Sequence, residues 1–281
     1  MATANARFIF WNSWDEADLT FGSSGSETPT LPLSNTQRYN NSRTWRTTDT
    51  AEQQIKVNLA FTTVISGFTL WRHNLTEDGT VRVRAYDGPN QTGNVIYDSG
   101  WLPALFKKTL GELAWGRDPL GASAFTNWRL KYSSYWLPKE NVRSLLVQIS
   151  DPTNPDGFLE IGRIYAGEYF EPKYNFDLGH AIRWESTTQQ NPTAGGSVHT
   201  LETETYRVLD FSLSHLDEQE RVDLFEATRR VSNHRDIFVS LSPAQGGAKE
   251  RDYSFAAKMT EAPQFRGEAA RFTNNFTFRE V

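Results

Sequence analysis

Apolar and polar residues alternate with a period of two through much of the first 170 positions. Thr80–Tyr86 is the clearest case, with Val81, Val83 and Ala85 on one face and Arg82, Arg84 and Tyr86 on the other. That spacing predicts a half-buried strand. The same period runs through Gln54–Leu59 (Ile55, Val57, Leu59) and Asn141–Ile149 (Leu145, Val147, Ile149). Ser66–Arg72, Asn94–Tyr97 and Phe158–Ala166 add short apolar runs, and Phe8, Ile9, Phe10, Trp11 and Trp14 form the first of the chain. Glu77-Asp78-Gly79 and Asp87-Gly88 are turn signals on either side of Thr80–Tyr86. Strands in quick succession, without amphipathic helices between them, predict an antiparallel β-sandwich. Two stretches break the pattern. Gly22–Asn41 is rich in Ser, Thr, Pro, Gly and Asn and reads as loop. Phe106–Trp128 is irregular, with Gly111, Gly116, Pro119 and Gly121, and loops of that length in a compact domain are usually functional or protective.

The texture changes between residues 167 and 200, where Asn191-Pro192-Thr193-Ala194-Gly195-Gly196-Ser197 reads as an exposed hairpin tip. Beyond it the order becomes strand, helix, strand. Thr203–Leu213 alternates, and Ser214 with Asp217 three residues on forms an approximate capping box. Asp217, Glu218 and Glu220 then begin a helix near 215–231, Arg229 and Arg230 end it, and the charges complement its dipole. Val222, Phe225 and Leu224 are its expected buried stripe. Asp236–Leu241 predicts a buried strand, and Tyr253–Met259 and Ala270–Glu280 two more, the last carrying Phe272, Phe276 and Phe278. The expected division is a β-sandwich over 1–170 and a smaller β-rich domain with one helix over 171–281.

Composition narrows the function. Aromatic residues make 13% of the chain, which suits cross-strand packing and adhesive surfaces. Net charge is −5 with Lys and Arg dispersed, so the basic stripe expected of a nucleic-acid binder is missing. The chain has no cysteine, which removes disulfides, thiolate nucleophiles and Cys-based zinc sites together. It contains no stretch of the length and apolarity of a membrane span, and MATANARFIFWNSW lacks the pattern of a secretory signal.

The sequence holds no HExxH, GxSxG, Walker-type or GxGxxG motif, so an enzyme and a cofactor are not expected. The five histidines (His73, His180, His199, His215 and His234) do not fall at metal-ligand spacing on a helix. Asp15, Asp18 and Asp49 are the loop carboxylates on which a Ca2+ ion would draw, but no spacing fixes a set. Trp115 and Arg117, in the long irregular loop, are the candidate residues for binding a glycan or a partner, because an indole face is a platform for a sugar ring or a side chain. The alternative is that Trp115 plugs the sandwich end. Trp45, Trp71, Trp101, Trp128 and Trp136 lie near strands and are expected in the core.

Leu31–Tyr86 resembles a galactose-binding-like (discoidin-type) jelly roll. The resemblance is carried by Thr44-Trp45-Arg46, by Gln53–Leu59, by Ile65–Leu75 (ISGFTLWRHNL) and by Thr80–Arg84, and Leu159–Gly167 is similar to that family's last strand. It covers about residues 5–170, lacks the family's disulfide and transfers no ligand residue. The second half resembles the tail-tube-like domains of phage tail-tip proteins, distal tail and minor tail proteins among them. There the match rests on Arg207–Leu213, Leu216–Arg221, Leu224-Phe225, Ile237–Pro243 and Phe276–Val281.

These resemblances imply a mainly β protein: a jelly-roll β-sandwich followed by a tail-tube-like β-sandwich or split barrel with one flanking helix. They imply a homo-oligomeric ring, a hexamer being favoured, that continues a tail tube at a virion's tail tip after assembly in the host cytoplasm. Tail tube, hub and other tail-tip proteins would be its partners, and a host-surface polysaccharide a further ligand. Gln189, Asn191, Thr193 and Val198 are the expected inter-subunit contacts, since strand edges and an exposed tip suit pairing with a neighbour. The competing expectations are a carbohydrate-binding module of a non-viral protein and a polysaccharide-degrading enzyme with two loop carboxylates.

Overall fold

The computed structural model describes residues 4–22, 26–40, 42–126, 128, 130–192, 195–201, 203–268 and 271–281. In chain order its first strands are β1 (Arg7–Ile9), β2 (Asp18–Phe21), β3 (Trp45–Arg46), β4 (Gln53–His73), β5 (Thr80–Tyr86) and β6 (Val95–Asp98). There follow β7 (Leu102–Pro103), β8 (Tyr132–Ser150), β9 (Glu160–Gly167), β10 (Ala181–Ser186), β11 (Gln189–Pro192), β12 (Val198–Leu201) and β13 (Thr205–Leu216). Helix α1 (Glu218–Val231), β14 (Ile237–Ser240), helix α2 (Gly247–Asp252), β15 (Ser254–Met259), β16 (Phe265–Glu268) and β17 (Arg271–Glu280) complete the chain. The protein is mainly β, and the pairings whose register is described are antiparallel.

The chain forms two compact units, Met1–Glu171 with Ile237–Phe255, and Pro172–Asp236 with Ala256–Val281. The expected division at residue 170 is thereby corrected for 237–255, which was assigned to the second domain and belongs with the first. The reason is packing. Phe238 of β14 sits among Trp71, Tyr132, Trp136 and Tyr165, with ring centroids 5.9–6.4 Å away. Ile237–Ser240 is buried at every position, so it needs cover on both faces.

In the first unit two long strands do the work expected of several short ones. β4 and β8 pair along nearly their whole lengths, but their register shifts between Asn58 and Thr63 and again between Ile65 and Gly67. On one side of these irregularities the order is β2, β4, β8, β5, with β6 and β7 along the outer edge of β5. On the other side it is β3, β9, β4, β8. Bulges bend a ladder, and here they let one pair of strands serve both layers of a sandwich. The alternation then explains the core: Ile55, Val57, Val81, Val83, Leu145, Val147 and Ile149 are buried with Trp14, Trp45, Phe68 and Leu70. A second, aromatic cluster built on Trp71 and Tyr132, whose rings lie 5.3 Å apart, forms against β14.

The second unit is an antiparallel sheet in the order β15, β17, β13, β10, with β16 also on β17. Leu209, Phe211, Phe276, Phe278 and Met259 are buried in it. Helix α1 lies against β13 and β17, burying Leu224, Thr228 and Val231. Two expectations about this helix are corrected. β13 runs on to Leu216, so Ser214 is in a strand; Asp217 is the N-cap, and its side chain and that of Glu220 cap each other's backbone N–H groups. The buried stripe is Leu224, Thr228 and Val231, whereas Val222 and Phe225 are 41% and 54% exposed. Among the described residues no helix is long and apolar enough to cross a membrane.

Candidate functional site

The long loop before β8 is ordered by its own polar contacts. Thr109 and Glu112 form a reciprocal capping box around a short 3-10 turn, Leu110–Glu112. Lys108 Nζ lies 2.7 Å from Asp118 Oδ2, which also accepts the Ala114 N–H at 3.1 Å. The Lys108 hydrogen bond, followed by that of Ala114, holds the Asp118 carboxyl down at about 2. Burial alone would raise the Glu112 carboxyl, yet the N–H groups of Thr109 and Ala248 keep it below the usual carboxylate value. The Ala248 N–H reaches Glu112 at 2.9 Å, so the segment 237–255 braces the loop. It does so twice more, through Arg251, which stacks on Trp128 at 4.2 Å and donates to the Ala124 carbonyl. Phe106 and Phe125 anchor the loop's two ends in the aromatic cluster on Tyr132.

What this braced loop presents is apolar. Trp115 is 82% exposed and the Arg117 side chain equally so, with its guanidinium 3.5 Å from Asp118. Trp115 therefore does not plug the sandwich. Leu110 and Leu120, which the sequence reading passed over, are 69% and 80% exposed on the same loop. Their signal was present as apolar residues among glycines, where no periodicity assigns them to a core. Trp45 and Trp71 are fully buried as expected, but Trp101 is 43% exposed, a correction that follows from its place in a turn between two edge strands.

The expected inter-subunit residues lie on an exposed ribbon in the second unit. Among the described residues β11 and β12 pair only with each other, joining Gln189 to Leu201, Asn191 to His199 and Pro192 to Val198. Gln189 and Asn191 are exposed and Val198 is 58% exposed. Thr193 lies outside the described residues.

Most of the remaining chemical candidates have other employment. Asp15, a possible calcium ligand by sequence, is engaged by the buried Arg163 guanidinium at 2.5 and 2.8 Å. Asp49 accepts from the Ala51 N–H and the Gln53 amide, and Asp18 is exposed in β2. Among the described residues no group of three or more His, Cys, Asp or Glu gathers as a metal site. His73 is buried, its Nδ1 accepting from the Leu75 N–H and its Nε2 facing Ser133 Oγ at 2.7 Å. Ser133 Oγ in turn donates to the Ala104 carbonyl. That chain needs a neutral imidazole with the proton on Nε2, and burial, with Lys131 nearby, pushes the His73 pKa down to about 3. Neither ring nitrogen is left to take a substrate's proton.

No protein-family model and no curated protein matches the chain. Solved structures do. A family 32 carbohydrate-binding module from a family 31 glycoside hydrolase of Clostridium perfringens is 12% identical, covering 57% of this chain and 99% of its own, with a TM-score of 0.37. A fucose-binding module of Streptococcus pneumoniae is 10% identical, covering 57% and 99%, with a TM-score of 0.38. A chitosan-binding module from a chitosanase/glucanase of Paenibacillus sp. is 11% identical, covering 56% and 99%, also at 0.38.

Proposed function

We propose that the chain is a structural, non-catalytic protein of a phage tail tip, which assembles into a ring through its second unit and offers the braced loop of its first unit to a neighbouring tail protein or a host-surface polysaccharide. The observation that carries the reading is the β11–β12 ribbon. A two-stranded hairpin on its own is marginally stable in water at best. Among the described residues this one pairs with no further strand, and it exposes Val198 and Leu201 at 58% and 63%. Such a ribbon gains a stable environment when a second copy covers it, and a heterologous contact of that kind closes into a ring when the rotation permits. The order of strands and helix in the second half, which resembles tail-tube-like domains, supplies the tail-tip setting. Electron-microscope images of the purified protein test this: closed rings are expected, and a chain that stays monomeric at high concentration defeats it.

A second reading has its own observation. Trp115 is an exposed flat aromatic surface on an ordered loop, with Arg117 two residues on in the chain, and an indole face is a platform on which a sugar ring can stack. Glycan-array binding lost in Trp115→Ala, by a chain that is monomeric throughout, favours that reading over the first.

A further inference from the structure

Val222 and Phe225 are apolar residues of α1 that the fold of the second unit leaves in solvent. Phe225 borders a groove of about 260 Å3 that is also lined by Thr228, Arg229, Met259, Pro263 and Phe265. The Phe225 and Phe265 rings meet edge to face at 5.6 Å, so the aromatic wall is already in place. Small-molecule sites commonly run to ~300–1,000 Å3, and this groove falls below that range, at the scale of a few side chains. Phenylalanine and methionine are the residue types enriched where proteins meet.

We propose that this groove receives the β11–β12 ribbon of a second copy of the chain, with Val198 as the inserted side chain. The inference rests on the assembly reading above and names the receiving surface. Three observations select this occupant. Residues 187–201 contain no Asp, Glu, Lys or Arg, in a chain that is 22% charged. Charge is one of the devices that keep an exposed strand edge from pairing, and its absence here leaves no charged side chain to oppose contact with an apolar surface. The side chain it offers is aliphatic and the groove is walled by aromatic, methionine and proline side chains. Finally, ribbon and groove are different surfaces of one unit, and a ring of identical subunits needs two unlike, complementary surfaces on each copy.

The absence of native cysteine makes the test direct. Full-length Val198→Cys and Phe225→Cys chains are mixed and treated with a short bis-maleimide. A cross-linked dimer is expected from the mixture and not from either variant alone. Independently, Phe225→Asp should weaken self-association on the order of tenfold or more while leaving the circular dichroism spectrum unchanged. An assembled wild-type chain that yields no Val198–Phe225 link, or a Phe225→Asp chain that associates like wild type, overturns the pairing and leaves the assembly reading standing. A wild-type chain that never associates removes both.

Discussion

Asp15→Asn is a sharp test of how the first unit is held together. Arg163 of β9 has no exposed side-chain surface and Asp15 has 11%. The two meet through both guanidinium nitrogens, at 2.5 and 2.8 Å, while Arg163 also donates to the Thr36 carbonyl at 3.0 Å and Asn12 donates to Asp15 at 2.8 Å. Removing one partner of a buried pair leaves the other charge uncompensated and costs ~3–5 kcal/mol. Asparagine keeps one acceptor, so a loss of about 3 kcal/mol is expected, a large share of the ~5–15 kcal/mol that stabilises a domain. Replacing both residues, as in Asp15→Leu with Arg163→Met, should recover most of that loss. Denaturant unfolding followed by tryptophan fluorescence is the assay, because of the nine tryptophans only Trp184 lies outside the first unit. A loss under ~1 kcal/mol, as for an exposed ion pair, refutes the argument. So does a loss that Ca2+ restores, since Asp15 would then be a metal ligand.

Three further outcomes are expected. Gly167→Ala should cost ~1–3 kcal/mol or more by the same assay, because its Cβ would run into the Trp11 carbonyl oxygen; a silent substitution contradicts the packing of β9 against the N-terminal segment. Trp115→Ala should leave stability within about 0.5 kcal/mol while reducing capture of any glycan or tail protein that the loop binds. On pH, His73 falls from 6.5 to about 3 on folding, so the unfolded chain binds the extra proton between those values. Its contribution to stability is therefore full above pH 6.5 and declines as the pH falls toward 3. Its imidazole resonances should not titrate between pH 5 and 8, and a midpoint near 6.5 contradicts the assignment. Asp98 and Asp118, held at about 2 from 3.8, add stability that is lost only as the pH drops below about 4.

The sandwich was legible because its strands are half-buried, so the periodicity of Val81, Val83 and Ala85 records which face meets the core. The bends that turn β4 and β8 into two layers were not legible, since a register shift depends on the partner strand and leaves no local pattern. The placement of 237–255 was hidden for a related reason. IFVS reads as a buried strand in any setting, and only the aromatic surface of Trp71, Tyr132 and Tyr165 determines where it lies. At the candidate sites, glycine-rich surroundings exposed Trp115 to inference, and turn residues marked the connection between β11 and β12. Phe225 was misassigned because helical spacing alone does not fix which stripe of the helix meets the sheet.

Assembly through the second unit is decided by sedimentation of the full-length protein beside a variant lacking residues 189–201. A closed oligomer, at a whole-number multiple of the chain mass, is expected for the first and a folded monomer for the second. Equal masses for the two chains, whether both monomeric or both assembled, contradict it.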